Sequence, residues 1–111
     1  MNNEILKKYN INFYKRATGK SIEIKDVVSS YLYIWKQIDD INDFLHDIDL
    51  CLKGNIESVE DTDYSDGLLN LYGQLTHNEL IISDKTGLHW RAIPLFEFKE
   101  LLLSWKEFLE S

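Results

Sequence analysis

Four aspartates in the middle of the chain have the residue type and spacing to do chemistry. Asp39, Asp40, Asp43 and Asp47 recur at intervals of one, three and four residues. A helix would display Asp40, Asp43 and Asp47 on one face, each about one turn from the next, with Asp39 beside Asp40. Carboxylates arranged in this way attract positively charged groups, so the pattern indicates a surface that captures a cationic partner.

A second acidic set follows within residues 55–67, which contain few large apolar side chains and are predicted to form a loop that ends at Gly67. The candidate partner-binding residues of this loop are Glu57, Glu60, Asp61, Asp63, Tyr64 and Asp66. From residue 39 to residue 66 the chain carries ten carboxylates and one lysine, a net charge of −9, while the first 38 residues carry +4 and the last 45 carry −2. The overall charge of −7 therefore arises from one local block, which is costly to fold but suited to binding a basic partner.

The helix carboxylates have two interpretations. An ordinary solvated helix face would carry mixed charge, with lysine and glutamate at pairing distance. Residues 39–49 instead hold five aspartates and no lysine or arginine. Because aspartate is also a poorer helix former than glutamate, the pattern favours partner binding over a merely solvated face.

Motifs for catalysis or metal binding are missing. The three histidines lie on different predicted elements without ligand spacing: His46, His77 and His89. Cys51 lies between two leucines and is interpreted as a small core residue rather than a nucleophile. We therefore expect no enzymatic activity, no metal and no cofactor.

The segment from Asp61 to Gly67 superficially resembles a calcium-binding loop. An EF-hand requires glycine at position 6 and a bidentate glutamate at position 12. Counted from Asp61, these positions hold Asp66 and Tyr72, so calcium binding is not expected. The carboxylates are also not expected to act as a glycosidase pair, because nothing apolar in the sequence surrounds one of them to raise its pKa.

Length and composition bound the class of protein. The 111 residues predict a single domain over residues 1–111, and the 44% apolar content with fourteen aromatic residues excludes a wholly disordered chain. The single cysteine excludes an intramolecular disulfide, and neither a signal peptide nor an apolar run long enough to span a membrane is present. We expect a soluble, cytoplasmic protein with no membrane contact. Its acidic pI of about 4.8 argues against nucleic acid as a direct ligand.

The elements that must position the carboxylates follow from apolar periodicity. A long helix is predicted from about Asp26 to Lys53, capped by Asp26 and stopped at Gly54, with a break near Asp39 and Asp40 left open. Its buried stripe comprises Tyr31, Ile34, Trp35, Ile38, Ile41, Leu45, Ile48 and Leu52. Tyr33 and Phe44 lie off this stripe and, like Tyr64, are either interface anchors or packing residues.

The second half predicts three antiparallel strands and a closing helix. The strands are expected at 68–76, 79–83 and 88–93, with turns at 77–78 and 84–87. A turn at residues 77–78 pairs Leu75 with Leu80 and Gly73 with Ile82. Pro94 suits the first turn of a helix that buries Phe98, Leu101, Leu102, Trp105, Phe108 and Leu109. The fold class is therefore α+β, a small antiparallel sheet packed with a long central helix and a C-terminal helix, while residues 1–25 remain ambiguous.

The last third resembles immunity proteins of bacterial polymorphic toxin systems, particularly those of contact-dependent growth inhibition. A hairpin leads into a closing helix in which Pro94, Phe98, Leu102, Trp105 and Phe108 fill the pattern seen in such small acidic proteins. The resemblance covers about residues 68–111 and rests on apolar positions, so it concerns fold more than binding. It implies a non-enzymatic inhibitor of one cognate toxin in the cytoplasm.

Toxins of this kind are frequently nucleases, and their substrate clefts are basic. The acidic block would be complementary in charge to such a cleft, which would speed association. The sequence therefore predicts an immunity protein that binds a basic toxin domain. The alternative is an acidic nucleic-acid mimic or adaptor that occupies a basic site on a host protein. A cognate inhibitor should bind one partner, whereas a mimic should bind several.

Overall fold

A computed structural model describes residues 1–111 and has an α+β architecture of four helices and two antiparallel sheets. The N-terminal half contains α1 (Asn3–Lys8), β1 (Phe13–Arg16), β2 (Gly19–Ile22), α2 (Val27–Tyr33), α3 (Ile38–Leu52) and a 3-10 helix (Ile56–Ser58). The C-terminal half contains β3 (Leu71–Leu75), β4 (Glu79–Asp84), β5 (Trp90–Pro94) and α4 (Leu95–Glu110). The predicted fold class is confirmed, including the helix that follows the sheet at the C-terminus.

The ambiguous first 25 residues form a short helix and a hairpin. Asn2 caps α1 by accepting a hydrogen bond from the Ile5 backbone N–H, and Asn10 ends this region in a left-handed conformation with φ of 57°. β1 and β2 then pair antiparallel, with Phe13 opposite Ile22. β2 ends at Ile22.

The helix predicted from Asp26 to Lys53 is two helices rather than one. Asp26 caps α2 in a capping box with Ser29, and Gly54 follows α3 with φ of 82°, so both predicted ends are confirmed. The chain leaves the helix at residues 34–37, earlier than the break considered near Asp39. The Trp35 carbonyl, freed from helical bonding, accepts a hydrogen bond from the Trp105 indole N–H. This side-chain partner satisfies a carbonyl that a helix break would otherwise leave unpaired.

The strand pairing follows the predicted register. Leu75 lies opposite Leu80 and Gly73 lies opposite Ile82. β3 begins three residues later than predicted because the Asp66 carboxylate accepts the backbone N–H groups of Leu68 and Leu69, which holds them in a turn.

The core lies between the sheet and the helices. The 22 buried apolar residues form one cluster, to which α4 contributes Phe98, Leu101, Leu102 and Trp105 as predicted. Phe108 and Leu109, which were also predicted to be buried, are only partly buried and pack against this cluster. Pro94 ends β5 and precedes α4 rather than entering its first turn. None of the four helices combines the length and the apolar character needed to cross a membrane.

Candidate functional site

Helix α3 presents the predicted aspartates on its outer side, but not all in the same environment. Asp39, Asp40 and Asp43 are exposed, whereas Asp47 is partly buried. Phe44, which the apolar periodicity placed off the buried stripe, is fully buried and belongs to the core. The prediction from apolar periodicity was wrong for Phe44 because a second layer of protein covers this side of α3.

That second layer is the acidic segment itself. Residues 55–67 were predicted as a loop, but the stretch Thr62–Asp66, here called the edge segment, runs antiparallel to β3. The Tyr64 N–H donates to the Gly73 carbonyl at 2.8 Å, and Asp66 and Leu71 exchange backbone hydrogen bonds at 2.7 and 3.1 Å. The edge segment therefore acts as a short additional strand, and the alternation of a strand turns Tyr64 inward and Asp63 outward.

Tyr64 fixes the edge segment to α3. Its ring stacks on Phe44 with centroids 3.9 Å apart and an interplanar angle of 9°, and its hydroxyl donates a hydrogen bond to the Asp47 carboxylate. Burial, followed by the hydrogen bond to Asp47, raises the Tyr64 pKa well above its usual value. Tyr64 thus holds helix and segment together, which favours the packing interpretation over a free interface anchor.

Tyr33 is the other aromatic left open by the sequence. It is partly buried, with its ring 6.3 Å from that of Trp105 and the Lys36 ammonium 4.2 Å from its centroid. Tyr33 therefore lies against the C-terminal helix rather than beside the carboxylates.

Between α3 and the edge segment lies an open cleft of about 740 Å³, here called the acidic cleft. Its lining comprises Asp43, His46, Asp47, Leu50, Ser58, Glu60, Asp61, Asp63 and Tyr64. Five of these nine residues are carboxylates and none is lysine or arginine. Side chains from the predicted helix set and the predicted loop set are thus brought to one place.

The remaining predicted residues lie outside the acidic cleft. Asp39 and Asp40 occupy the first turn of α3, where carboxylates favour the helix macrodipole. Glu57 projects from the 3-10 helix, and Asp66 is engaged in the turn before β3.

Three residues of the acidic cleft were missed by sequence reasoning. His46 lies three residues after Asp43 and Leu50 three residues after Asp47, so helical spacing could have placed both beside the carboxylates. Ser58 had no comparable signal, because the 3-10 helix that positions it depends on the end of α3.

The structure also places the residues considered for catalysis or metal binding. Cys51 is buried, and burial raises the pKa of its thiol, with a further contribution from Asp47. Such a thiol behaves as a core side chain rather than a nucleophile. No group of three or more His, Cys, Asp and Glu side chains has an arrangement that could hold a metal ion.

Comparison of the chain with protein-family models, curated proteins and solved structures finds no significant match.

Proposed function

We propose that the protein is a non-enzymatic immunity protein that binds and neutralises a cognate bacterial toxin domain in the cytoplasm through the acidic cleft. One observation carries the proposal: five carboxylates from two separate elements converge on one cleft without a basic side chain among them. The partner surface that matches this cleft is rich in Lys and Arg. A nuclease has such a surface where it holds the phosphates of its substrate.

The charge arrangement suits rapid capture. A cleft lined by charges of one sign concentrates the electrostatic field at its opening. This field speeds association with an oppositely charged partner, to about 10⁸ M⁻¹s⁻¹ at low salt. Speed is useful to an inhibitor that must act before the toxin does.

Preorganisation of the carboxylates supports affinity as well as speed. Asp47 is held by Tyr64, and Asp63 belongs to a segment whose backbone is bonded to β3. Groups that are already fixed lose less conformational entropy when a partner binds.

The resemblance to immunity proteins enters the proposal through fold rather than through contacts. Phe98, Leu102 and Trp105, which carry much of that resemblance, are fully buried and stabilise the core. These side chains cannot touch a partner, so the partner contacts belong to the carboxylates.

The experiment pairs the purified protein with the C-terminal domain encoded by the neighbouring upstream gene. Co-expression should restore growth of cells that produce this domain, and calorimetry should give a one-to-one complex. The double variant Asp43→Lys/Glu60→Lys should weaken binding at least about 100-fold, since close charge pairs at interfaces contribute several kcal/mol.

The matched control is Asp39→Lys/Asp40→Lys, which changes the net charge equally but lies outside the acidic cleft. None of these four side chains has a hydrogen bond or ion pair within the protein. Lysines at residues 39 and 40 lose a favourable macrodipole interaction of about 0.3–1 kcal/mol each, too little to unfold a domain, and circular dichroism would verify that both variants fold. Equal losses in the two variants would contradict a localised site. Similar binding to several unrelated basic proteins would instead favour the nucleic-acid mimic.

A further inference from the structure

The outer face of the three-stranded sheet is not covered by any element. The pairing of β3, β4 and β5 sets Tyr72 opposite Ser83 and Ser83 opposite Trp90, and sets Gln74 opposite Ile81. The exposed fractions are 62% for Trp90, 39% for Tyr72 and 38% for Ile81. An exposed tryptophan beside other apolar side chains marks a surface suited to contact with a partner.

The edge segment extends this face toward the acidic block. Asp63 lies opposite Gln74, and the same register places Ser65 opposite Tyr72. Asp63 and Ser65 consequently project on the outer side, whereas Tyr64 projects inward. The Asp63 carboxylate therefore borders the outer face of the sheet at its β3 edge.

A groove of about 360 Å³ lies at this junction. The Tyr72 ring and Ile81 contribute apolar surface, Gln74 and Ser83 contribute polar atoms, and Asp63 is the only charged residue in the lining. One Asp63 oxygen, Oδ1, accepts a hydrogen bond from the Ser65 hydroxyl, while Oδ2 has no partner in the protein. An aromatic face, an aliphatic branch and one available carboxylate oxygen are complementary to a long cationic side chain.

We infer that this groove receives an arginine side chain of the basic partner. The methylene stem lies along Ile81, the planar guanidinium stacks on Tyr72, and its N–H groups donate to Asp63. Arginine fits better than lysine because a guanidinium is planar and weakly hydrated, so it stacks on an aromatic ring at less cost. The inference rests on the proposed function for its partner. Asp63 lines both the groove and the acidic cleft, whereas Asp43 and Glu60 line the acidic cleft alone.

The test uses the blocked tripeptide acetyl-Gly-Arg-Gly-amide, titrated into the isotope-labelled full chain and followed through backbone amide chemical shifts. Matched peptides carry lysine or citrulline, the latter a neutral analogue of arginine. The arginine peptide should cause saturable shifts at Tyr72, Gln74 and Ile81. Its affinity should exceed that of the lysine peptide about threefold, because the planar guanidinium stacks on Tyr72 at a lower desolvation cost than an ammonium. Citrulline should cause no saturable shift.

Two variants and a control sharpen the test. Asp63→Asn should abolish the difference in affinity between the arginine and citrulline peptides. Tyr72→Ser should abolish the difference in affinity between the arginine and lysine peptides. Glu57→Gln removes one carboxylate of the acidic block away from the groove and should change neither. Asp63 and Tyr72 are exposed and lie outside the core, so the two variants should fold.

The outcomes separate this inference from the proposed function. Shifts centred on His46, Leu50 and Ser58, equal for arginine and lysine, would overturn the groove while leaving the acidic cleft as the partner site. Shifts that depend on protein concentration without peptide, centred on Trp90, would mean that a second copy covers this face and would also overturn the inference. Saturable binding at the groove would support it even if Asp43→Lys/Glu60→Lys left toxin binding unchanged.

Discussion

Gly73 shows how one small residue allows the acidic cleft to form. The Tyr31 side chain passes directly over Gly73, and its hydroxyl donates a hydrogen bond of 2.6 Å to the Tyr64 carbonyl. A Cβ at residue 73 would overlap the Tyr31 hydroxyl and ring. The absence of a side chain in the middle of β3 therefore lets α2 reach the edge segment.

We predict that Gly73→Ala destabilises the protein by about 1–3 kcal/mol, the usual cost of forcing extra atoms into a packed interior. Urea denaturation would measure the free energy of unfolding. The control is Gly67→Ala, where a Cβ would meet no atom within 4 Å, and a change of less than about 0.5 kcal/mol is expected. Equal effects of the two substitutions would contradict the close approach of Tyr31.

The carboxylate of Glu97 links the end of helix α1 to α4. Glu97 is 7% exposed and accepts two hydrogen bonds from the Lys8 ammonium, at 2.7 and 3.0 Å, and one from the Tyr9 hydroxyl. The bonds from Lys8 and then from Tyr9 lower the Glu97 pKa, while burial and Glu97 together raise the pKa of Tyr9 to about 12. A lowered carboxyl pKa means that the ionised form stabilises the folded state.

Glu97→Gln should therefore reduce the free energy of unfolding at pH 7 by about 1–3 kcal/mol, the range for hydrogen bonds to charged groups. The difference should shrink as pH falls below the ordinary glutamate value of 4.5 and vanish as pH passes through the lowered pKa of Glu97. Urea denaturation at a series of pH values would measure it. The control on the same helix is Glu100→Gln, since Glu100 has no side-chain partner. A loss independent of pH would mean that shape, not charge, determines the effect.

Charge is distributed unevenly over the whole molecule. Residues 39–66 carry −9 and residues 1–38 carry +4. Of the ten carboxylates in the acidic block only Asp49 has an ion pair, to Lys99 at 2.8 Å. The acidic block is therefore a source of repulsion that the rest of the fold must offset.

Salt should consequently stabilise the protein. Screening reduces repulsion between exposed carboxylates as the Debye length falls from about 30 Å at 0.01 M to about 3 Å at 1 M ionic strength. We expect the thermal midpoint to rise with sodium chloride over this range. The rise should be smaller for Asp43→Lys/Glu60→Lys, which relieves the repulsion directly. An equal rise of the thermal midpoint in both proteins would mean that salt acts on folding in general and not by screening the acidic block.

The sequence predicted most local features correctly because their causes are local. Apolar periodicity defines α4, Asp26 begins α2, and two turn residues after Thr76 determine the register that joins Leu75 to Leu80. The prediction that the helix continues after Tyr33 was wrong. The break is stabilised by the Trp105 indole, which donates a hydrogen bond to the Trp35 carbonyl and lies 70 residues away in the chain. No local pattern contains that contact.

The sequence by itself determined that a single acidic block exists, that its carboxylates avoid basic neighbours, and that an α+β fold must carry it. The tertiary structure decided which carboxylates act together. The edge segment pairs with β3, and Tyr64 packs against α3 and donates a hydrogen bond to Asp47. These contacts bring two carboxylates of α3 and three of the following segment to one cleft: Asp43, Asp47, Glu60, Asp61 and Asp63. Asp39, Asp40, Glu57 and Asp66 have the same charge but lie outside the acidic cleft. Charge is a property of composition, whereas convergence depends on long-range pairing that no window of the sequence contains.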